Sequence, residues 1–389
     1  MISFLARFFI KDHKQVDSPI VRQSYGMLSG AFGIAFNIIL VIFKMIAGVL
    51  SGSIAVFSDA LNNLSDVTSS VVTLIFFKLS GREADEEHPF GHGRLEYVAG
   101  LIVSLLIIIM AVELLNGSIM KIIHPEDVEL SFVVVLILVV SIFIKFVMFA
   151  SYLQTSKLID SATIRSAAMD SLSDVLSTSI VLVSLIVFEV TGKNIDGYAG
   201  IVVALFIFKT GIDAAKDTIN PLLGEPPSKE FLRDIERTVL THECVLGVHD
   251  IVVHNYGPSR VMMSLHVEVP SDETLIAIHD SVDEIEKELR QKYHCTAVIH
   301  MDPVDSSDSE AMAIKSWLTL SIKEIDPSIK FHDLRIVRKE GEKPVVEFDL
   351  EVPYRYKMAD DELVKLLEYR LKEIGDGYSY DITVDKKEK

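Results

Sequence analysis

Asn62-Asn63-Leu64-Ser65-Asp66 and Asp170-Ser171-Leu172-Ser173-Asp174 decide how this chain is read. Each lies inside an apolar run, at about 54–79 and 167–191, of the length a helix needs to cross a bilayer. Asn62 and Asp66 are spaced i, i+4, as are Asp170 and Asp174, so each pair projects from one face of its helix. A carboxylate at bilayer depth is costly and faces a bundle interior or a water-filled path. Two such pairs facing each other would make an all-oxygen site, which implies passage of a hard divalent cation.

Four further apolar runs lie at about 28–50, 97–119, 130–153 and 195–216. Six spans are therefore expected, with the second and fifth lining an interior. Lys and Arg set the orientation. Arg7, Lys11, Lys14 and Arg22 precede the first span; Lys78, Arg82 and Arg94 follow the second; Lys157 and Arg165 follow the fourth. The opposite loops carry Lys121 and Lys193, so both termini are expected in the cytoplasm. Lys44 and Lys145 fall within spans, where snorkelling or pairing inside the bundle is expected. Ile2–Ile10 is apolar but interrupted by Arg7 and lacks a small-residue cleavage site, which predicts an interfacial amphipathic segment rather than a secretory leader.

The formal net charge is −18, and most of it sits in the soluble part. Residues 1–220 carry 15 basic and 20 acidic side chains, whereas residues 221–389 carry 22 and 35. That balance excludes nucleic acid, which selects a basic stripe. Two cysteines, Cys244 and Cys295, without Cys-x-x-Cys spacing, argue against a disulfide framework and a thiolate zinc cluster. The sequence has no phosphate-loop motif, so ATP is not its evident energy source.

From Pro226 the pattern changes to helix, strand, strand, helix, strand, with Tyr256-Gly257-Pro258 as the turn between the first two strands. The order then recurs. Val248-His249-Asp250-Ile251 matches Phe331-His332-Asp333-Leu334; Leu265–Pro270 matches Phe348–Pro353; Val298–Asp302 matches Asp381–Asp385. The offset is 83 residues in all three matches, so two tandem copies of one small domain are expected, joined by the acidic, Ser-rich linker Asp305–Glu310. The fold class is thus membrane α plus cytosolic α/β. Residues 1–24 form an N-terminal segment, and 25–220 a six-helix transmembrane domain. Two ferredoxin-like αββαβ domains occupy 221–304 and 305–389.

The six spans, the two i, i+4 pairs and His88-Pro89-Phe90-Gly91-His92-Gly93 after the second span together resemble the cation diffusion facilitator family over roughly residues 20–303. The resemblance implies a homodimeric, proton-coupled exporter of divalent metals in the cell (inner) membrane, with a metallochaperone-like cytosolic domain. It carries the transport site over as Asn62, Asp66, Asp170 and Asp174. Zinc exporters of this family typically have a histidine in that set; its absence here looks like the manganese-exporting branch. Ligand chemistry agrees, since imidazole suits zinc, copper and nickel while carboxylate and carbonyl oxygens suit manganese, magnesium and calcium. Mg2+ keeps its waters and Ca2+ takes more than four ligands, which favours Mn2+, with Fe2+ next. Asp59, on the same face one turn earlier, is left unassigned between an outer ligand and a helix N-terminal charge.

The resemblance also implies a loop site at Asp85, His88 and His92; taken alone, that His pair reads as solvated surface. In the first cytosolic copy it implies a regulatory Zn2+ or Mn2+ site at His249, His266, His279, His300 and Asp302. In the second copy His249 corresponds to His332, but His266 becomes Asp349 and His300 becomes Thr383, so a structural or dimerising duplicate, or a weaker site for a harder ion, is expected. The family's charge interlock keeps its basic member at Arg94, whereas Gly224, followed by Glu225, occupies the acidic position.

The reading is a secondary active Mn2+/proton antiporter; the alternatives are an Fe2+ or Zn2+ exporter of the same fold and a metal-sensing membrane scaffold. Asn62→His is expected to shift the ratio of Mn2+ to Zn2+ flux toward Zn2+, because imidazole gains more from Zn2+ than from Mn2+. An unchanged ratio in a folded variant, measured at several pH values, would remove position 62 from the ion's shell.

Overall fold

The computed structural model describes residues 1–389 except 17, 52–53, 125–131, 192–194, 258–259, 306, 373–376 and 388–389; side chains at 47–51, 54–62, 65, 196 and 387 also lie outside the description. The chain divides into two compact units, Met1–Pro226 with His254–Val261, and Pro227–Val253 with Met262–Lys389.

The first unit is helical. A short α1 (Ile2–Phe9) precedes α2 (Pro19–Ser51), α3 (Ile54–Ser80), α4 (Leu95–Ile123), α5 (Phe132–Leu158), α6 (Ala162–Thr191) and α7 (Asp196–Leu223). Pro19 occupies the first turn of α2, where its missing N–H costs nothing. Gly224 ends α7 at φ +95°, a left-handed cap that sends its N–H back to the Asn220 carbonyl. Among the described residues five helices are long and apolar enough to span a bilayer: α2 over Pro19–Ile46, α4, α5, α6, and α7 over Gly197–Leu223. The expected second span, α3, has the length at 27 residues, and its side chains at 54–62 and 65 lie outside the described residues.

Helices pair as α2 with α3, α4 with α7 and α5 with α6, and α3 also meets α6. Small residues permit this closeness. A Cβ on Gly30 of α2 would sit 2.8 Å from the Leu74 backbone of α3. The α1 helix buries Ile2 and Ala6 in a core with Tyr25, Met148 and Tyr152, and leaves Phe4, Phe8 and Phe9 exposed, as an interfacial segment would.

A buried ion pair ties three segments together. Arg22 of α2 meets Glu96 of α4 through both terminal nitrogens, one at 2.8 Å, and its Nε donates to the Ile159 carbonyl at 2.9 Å. Ser161 donates to Glu96 Oε1 at 2.7 Å, and Thr163 to the Glu96 carbonyl. The sequence reading counted Arg22 as an orienting loop charge; the structure makes it a structural clasp.

The hairpin tip His254–Val261 belongs to this unit by its contacts. Arg94 donates to the Asn255 carbonyl at 3.1 Å and lies over the Tyr256 ring, which stacks on Phe90. Gly257, at φ +123°, lets the tip approach Gly93. Arg94 is thus engaged by a backbone carbonyl and an aromatic face.

In the second unit α8 (Lys229–Val239), β1 (Gly247–Asn255), β2 (Val261–Pro270), α9 (Leu275–Tyr293) and β3 (Cys295–Val304) precede α10 (Ser309–Ile325), β4 (Lys330–Val337), β5 (Val345–Pro353), α11 (Asp360–Leu371) and β6 (Ser379–Lys387). Two three-stranded sheets result, ordered β1-β2-β3 and β4-β5-β6. Strict alternation fixes their faces. Met263, Leu265, Val267 and Val269 of β2 are buried, as are Val346, Phe348, Leu350 and Val352 of β5, against Leu363, Leu367 and Leu371 of α11. The intervening polar residues therefore line the opposite face of each sheet. β4 pairs antiparallel and β6 parallel with β5, placing Asp349 directly opposite Thr383.

Glu96→Ala leaves the Arg22 guanidinium buried without its carboxylate, and should destabilise the helical unit by about 3–5 kcal/mol. Thermal unfolding in detergent should show a clearly lowered midpoint; an unchanged midpoint contradicts the clasp.

Candidate metal centres

The first centre lies within the helical unit. Asp66 of α3 and Asp170 of α6 are buried and Asp174 is nearly so; oxygens of all three carboxylates lie within 4.8 Å of one another. The i, i+4 spacing on α6 and the contact of α3 with α6 bring them together. The Asn62 side chain lies outside the described residues; its neighbour Asn63, also buried, donates from Nδ2 to Asp66 Oδ2 at 2.8 Å.

Lys145 of α5 completes this centre. Its ammonium is buried, 2.7 Å from Asp66 Oδ2 and 2.5 Å from Asp174 Oδ2. Of the two expectations for it, snorkelling or pairing inside the bundle, the structure shows pairing; that its partners are these aspartates was not legible, because nothing in the spacing of α5 residues names a partner on α3 or α6. Asp170 Oδ1 is buried without a hydrogen-bond partner, an acceptor with capacity for a cation or a proton. A cavity of about 360 Å3 opens beside these groups, lined by Asp66, Lys145, Asp174, Lys44, Glu113 and Ser173 among others.

The second centre is the loop before α4. Asp85 lies 3.4 Å from His88 Nδ1 and 3.5 Å from His92 Nε2, and the three form a ligand-sized group. The His88 backbone N–H donates to Asp85 at 2.7 Å, and this bond, ahead of the neighbouring histidines, holds the carboxyl below its ordinary range. Asp85 and His88 are exposed, whereas the His92 side chain is mostly covered.

The third centre is in the cytosolic unit. His266 and Asp302 emerge from the polar faces of β2 and β3 and converge with His249 of β1 and Asp333 of β4, whereas His300, beside Asp302, is exposed and lies outside that group. Asp302 lies 3.0 Å from His266 Nδ1, 3.3 Å from His300 Nε2 and 3.4 Å from His249 Nε2. Burial, then the adjacent His332, push His249 below the ordinary histidine value, which keeps the ring neutral and able to ligate a metal. His279 is not part of this group. It follows the buried Ile278 on α9 and is exposed, because the turn that sends Ile278 into the core sends its neighbour outward. The sequence reading also missed Asp333, whose Oδ1 lies 3.1 Å from His249 Nε2.

A profile of the cation efflux transmembrane domain matches residues 31–223, and one of the cation efflux protein cytoplasmic domain matches residues 227–304. An uncharacterized transporter of Methanocaldococcus jannaschii is 33% identical over 293 residues, covering 75% of this chain and all of that protein. The manganese efflux system protein MneS of Bacillus subtilis is 26% identical, covering 71% of this chain and 96% of its own. A cadmium, cobalt and zinc/H(+)-K(+) antiporter of Bacillus velezensis is also 26% identical, over 67% and 83% respectively. Neither matched profile extends over β4 to β6.

Proposed function

Because the chain belongs to the cation efflux family, and is therefore a multi-pass membrane transporter of metal cations rather than an enzyme, we propose that it exports Mn2+ from the cytoplasm in exchange for protons. One observation carries this reading: three carboxylates of α3 and α6 within 4.8 Å of one another, with no imidazole in the group among the described residues. An oxygen-only set suits a hard ion, and Asn62 would add an amide oxygen from the same face of α3. In this reading α3 is the sixth span, both termini face the cytoplasm, and the protein works as a homodimer in the cell membrane. The dimer is supported by the cytoplasmic-domain match, since that domain dimerises in the family. The repeated element order and the 83-residue offset support a second ferredoxin-like copy.

Coupling follows from charge. Three carboxylates this close repel one another unless a cation or protons offset them. Metal ligation requires them deprotonated, so metal and protons compete for the same oxygens. Alternating access then exposes the site inward for metal and outward for protons. Lys145 is a third competitor. Its ammonium occupies the position between Asp66 and Asp174, so an arriving cation must displace it, and its return helps expel the ion.

Fe2+ and Zn2+ stand as rival cargoes, and the relative named for cadmium, cobalt and zinc keeps them in view. The loop group at Asp85, His88 and His92, and the cytosolic group at His249, His266, Asp302 and Asp333, would bind ions on the cytoplasmic side, the second as a regulatory site.

Asp174→Ala should abolish Mn2+ flux in proteoliposomes while leaving a folded, correctly sized protein, because two carboxylates cannot both hold the ion and answer Lys145. Normal flux would overturn the site. Lys145→Met should lower the Mn2+ concentration for half-maximal binding by about tenfold, equivalent to ~1.4 kcal/mol, because the tethered competitor is gone. Turnover should fall at the same time. An unchanged half-saturation in a folded variant contradicts the displacement step.

A further inference from the structure

In the cytosolic unit the two sheets meet through equivalent residues. His249 and His332 occupy the same position in the two copies, 83 residues apart, and their rings stack at 4.5 Å with 20° between planes. Each is followed by an aspartate in the left-handed region, Asp250 at φ 49° and Asp333 at φ 54°. Such a backbone is uncommon for a side-chain-bearing residue, though Asp tolerates it better than most. In β4 it coincides with a break in register between His332 and Arg335. A bulge there frees consecutive residues from the alternation that would send them to opposite faces, so His332 and Asp333 can reach one place.

The contacts are reciprocal. His249 Nε2 of the first copy lies 3.1 Å from Asp333 of the second, and His332 Nε2 of the second lies 3.7 Å from Asp250 of the first. This exchange is the signature of a twofold contact between like surfaces, formed here within one chain. Ligand atoms of all four residues fall within 4.8 Å of one another. The histidines are 8% and 6% exposed, and neither ring nitrogen of His249 has a hydrogen-bond partner. Asp333 Oδ1 is buried in the same condition. Buried polar atoms aimed at one another without hydrogen bonds are costly, and a shared cation would satisfy them together.

We propose that the two cytosolic copies build a metal site between them, with His249 and Asp250 from the first and His332 and Asp333 from the second. Two imidazoles and two carboxylates suit a borderline divalent ion such as Zn2+ in tetrahedral geometry, a softer choice than the oxygen-only membrane centre makes. His249 and Asp333 also belong to the group with His266 and Asp302, so one ion draws on the second copy whichever group it settles in. The second copy, with most of its own imidazoles replaced, serves as an internal partner to the first. The ion locks the two sheets together. This site does not depend on which metal the membrane centre carries.

The test uses full-length protein in detergent carrying Asp174→Ala, so that cargo binding does not contribute. Zn2+ is titrated against a chromophoric chelator, and Co2+ is followed by its visible absorption. Asp333→Asn and His332→Gln should each weaken one tight Zn2+ equivalent at least tenfold and alter the Co2+ bands. Asp361→Asn, exposed on α11 and outside the group, should leave both unchanged. Zn2+ affinity and Co2+ spectra identical to the parent in both second-copy variants would overturn the proposal. Hydrogen exchange on the parent needs no change in this unit: Zn2+ should protect residues 247–255 and 330–337 together, and protection confined to the first copy would equally overturn it. Mn2+ flux is measured separately on protein with Asp174 intact, so failure here leaves the transport reading standing.

Discussion

A lysine ammonium held between two aspartates inside a helical bundle is the constraint around which the membrane unit is organised. Removing such charges from water costs several kcal/mol per ion even after relaxation, and a pair survives only with short contacts and supporting hydrogen bonds. Lys145, Asp66 and Asp174 have those contacts, and Asn63 adds a donor to Asp66. The arrangement requires α3, α5 and α6 to stay close, and buried serines on all three, Ser69, Ser141 and Ser173 among them, allow this. Asp170, beside the pair but without a hydrogen bond at Oδ1, keeps coordinating capacity in reserve. In the proposed reading, a centre in which a tethered cation balances part of the acid is stable without cargo and would exchange it.

The cytosolic unit solves a different problem. Each sheet buries one face against its own helices and turns a polar face outward, so histidines and carboxylates on alternate positions gather on exposed sides. Bringing the two polar faces together makes a cavity of about 650 Å3 lined by His266, His300 and Asp302 from the β1–β3 sheet and Asp333, Asp349 and Thr383 from the β4–β6 sheet. Membrane and cytosolic centres thus differ in donor chemistry: oxygen at the first, nitrogen and oxygen at the second. In the proposed reading, separate donor sets would let one chain hold one class of ion while moving another.

Local patterns were legible and long-range contacts were not. The i, i+4 pairs, the β alternation and the 83-residue repeat are periodicities, and a sequence displays them directly. From them came the helices, the two sheets, and the convergence of Asp66 with Asp170 and Asp174. Lys145 could be recognised as a cation in an apolar run but not given its partners. Arg22 carried the same ambiguity, since a basic residue before a span reads as an orienting charge until Glu96 is placed beside it. His279 was assigned through family resemblance, and the pitch of α9 turns it away from the other ligands. Asp333 and Asp250 were invisible because their placement depends on left-handed backbone at one position in each copy, which breaks the alternation used to read strand faces.

The most direct test of the central claim measures metal and proton movement together. Purified protein in liposomes holding a pH-sensitive dye is offered Mn2+, Fe2+, Zn2+ and Mg2+ in turn, with uptake and internal pH recorded simultaneously. The account predicts that Mn2+ moves fastest, that every metal ion transported is accompanied by protons moving the opposite way, and that an imposed proton gradient accelerates the exchange. Metal flux that proceeds without counter-moving protons, or Zn2+ moving in clear preference to Mn2+, would contradict it.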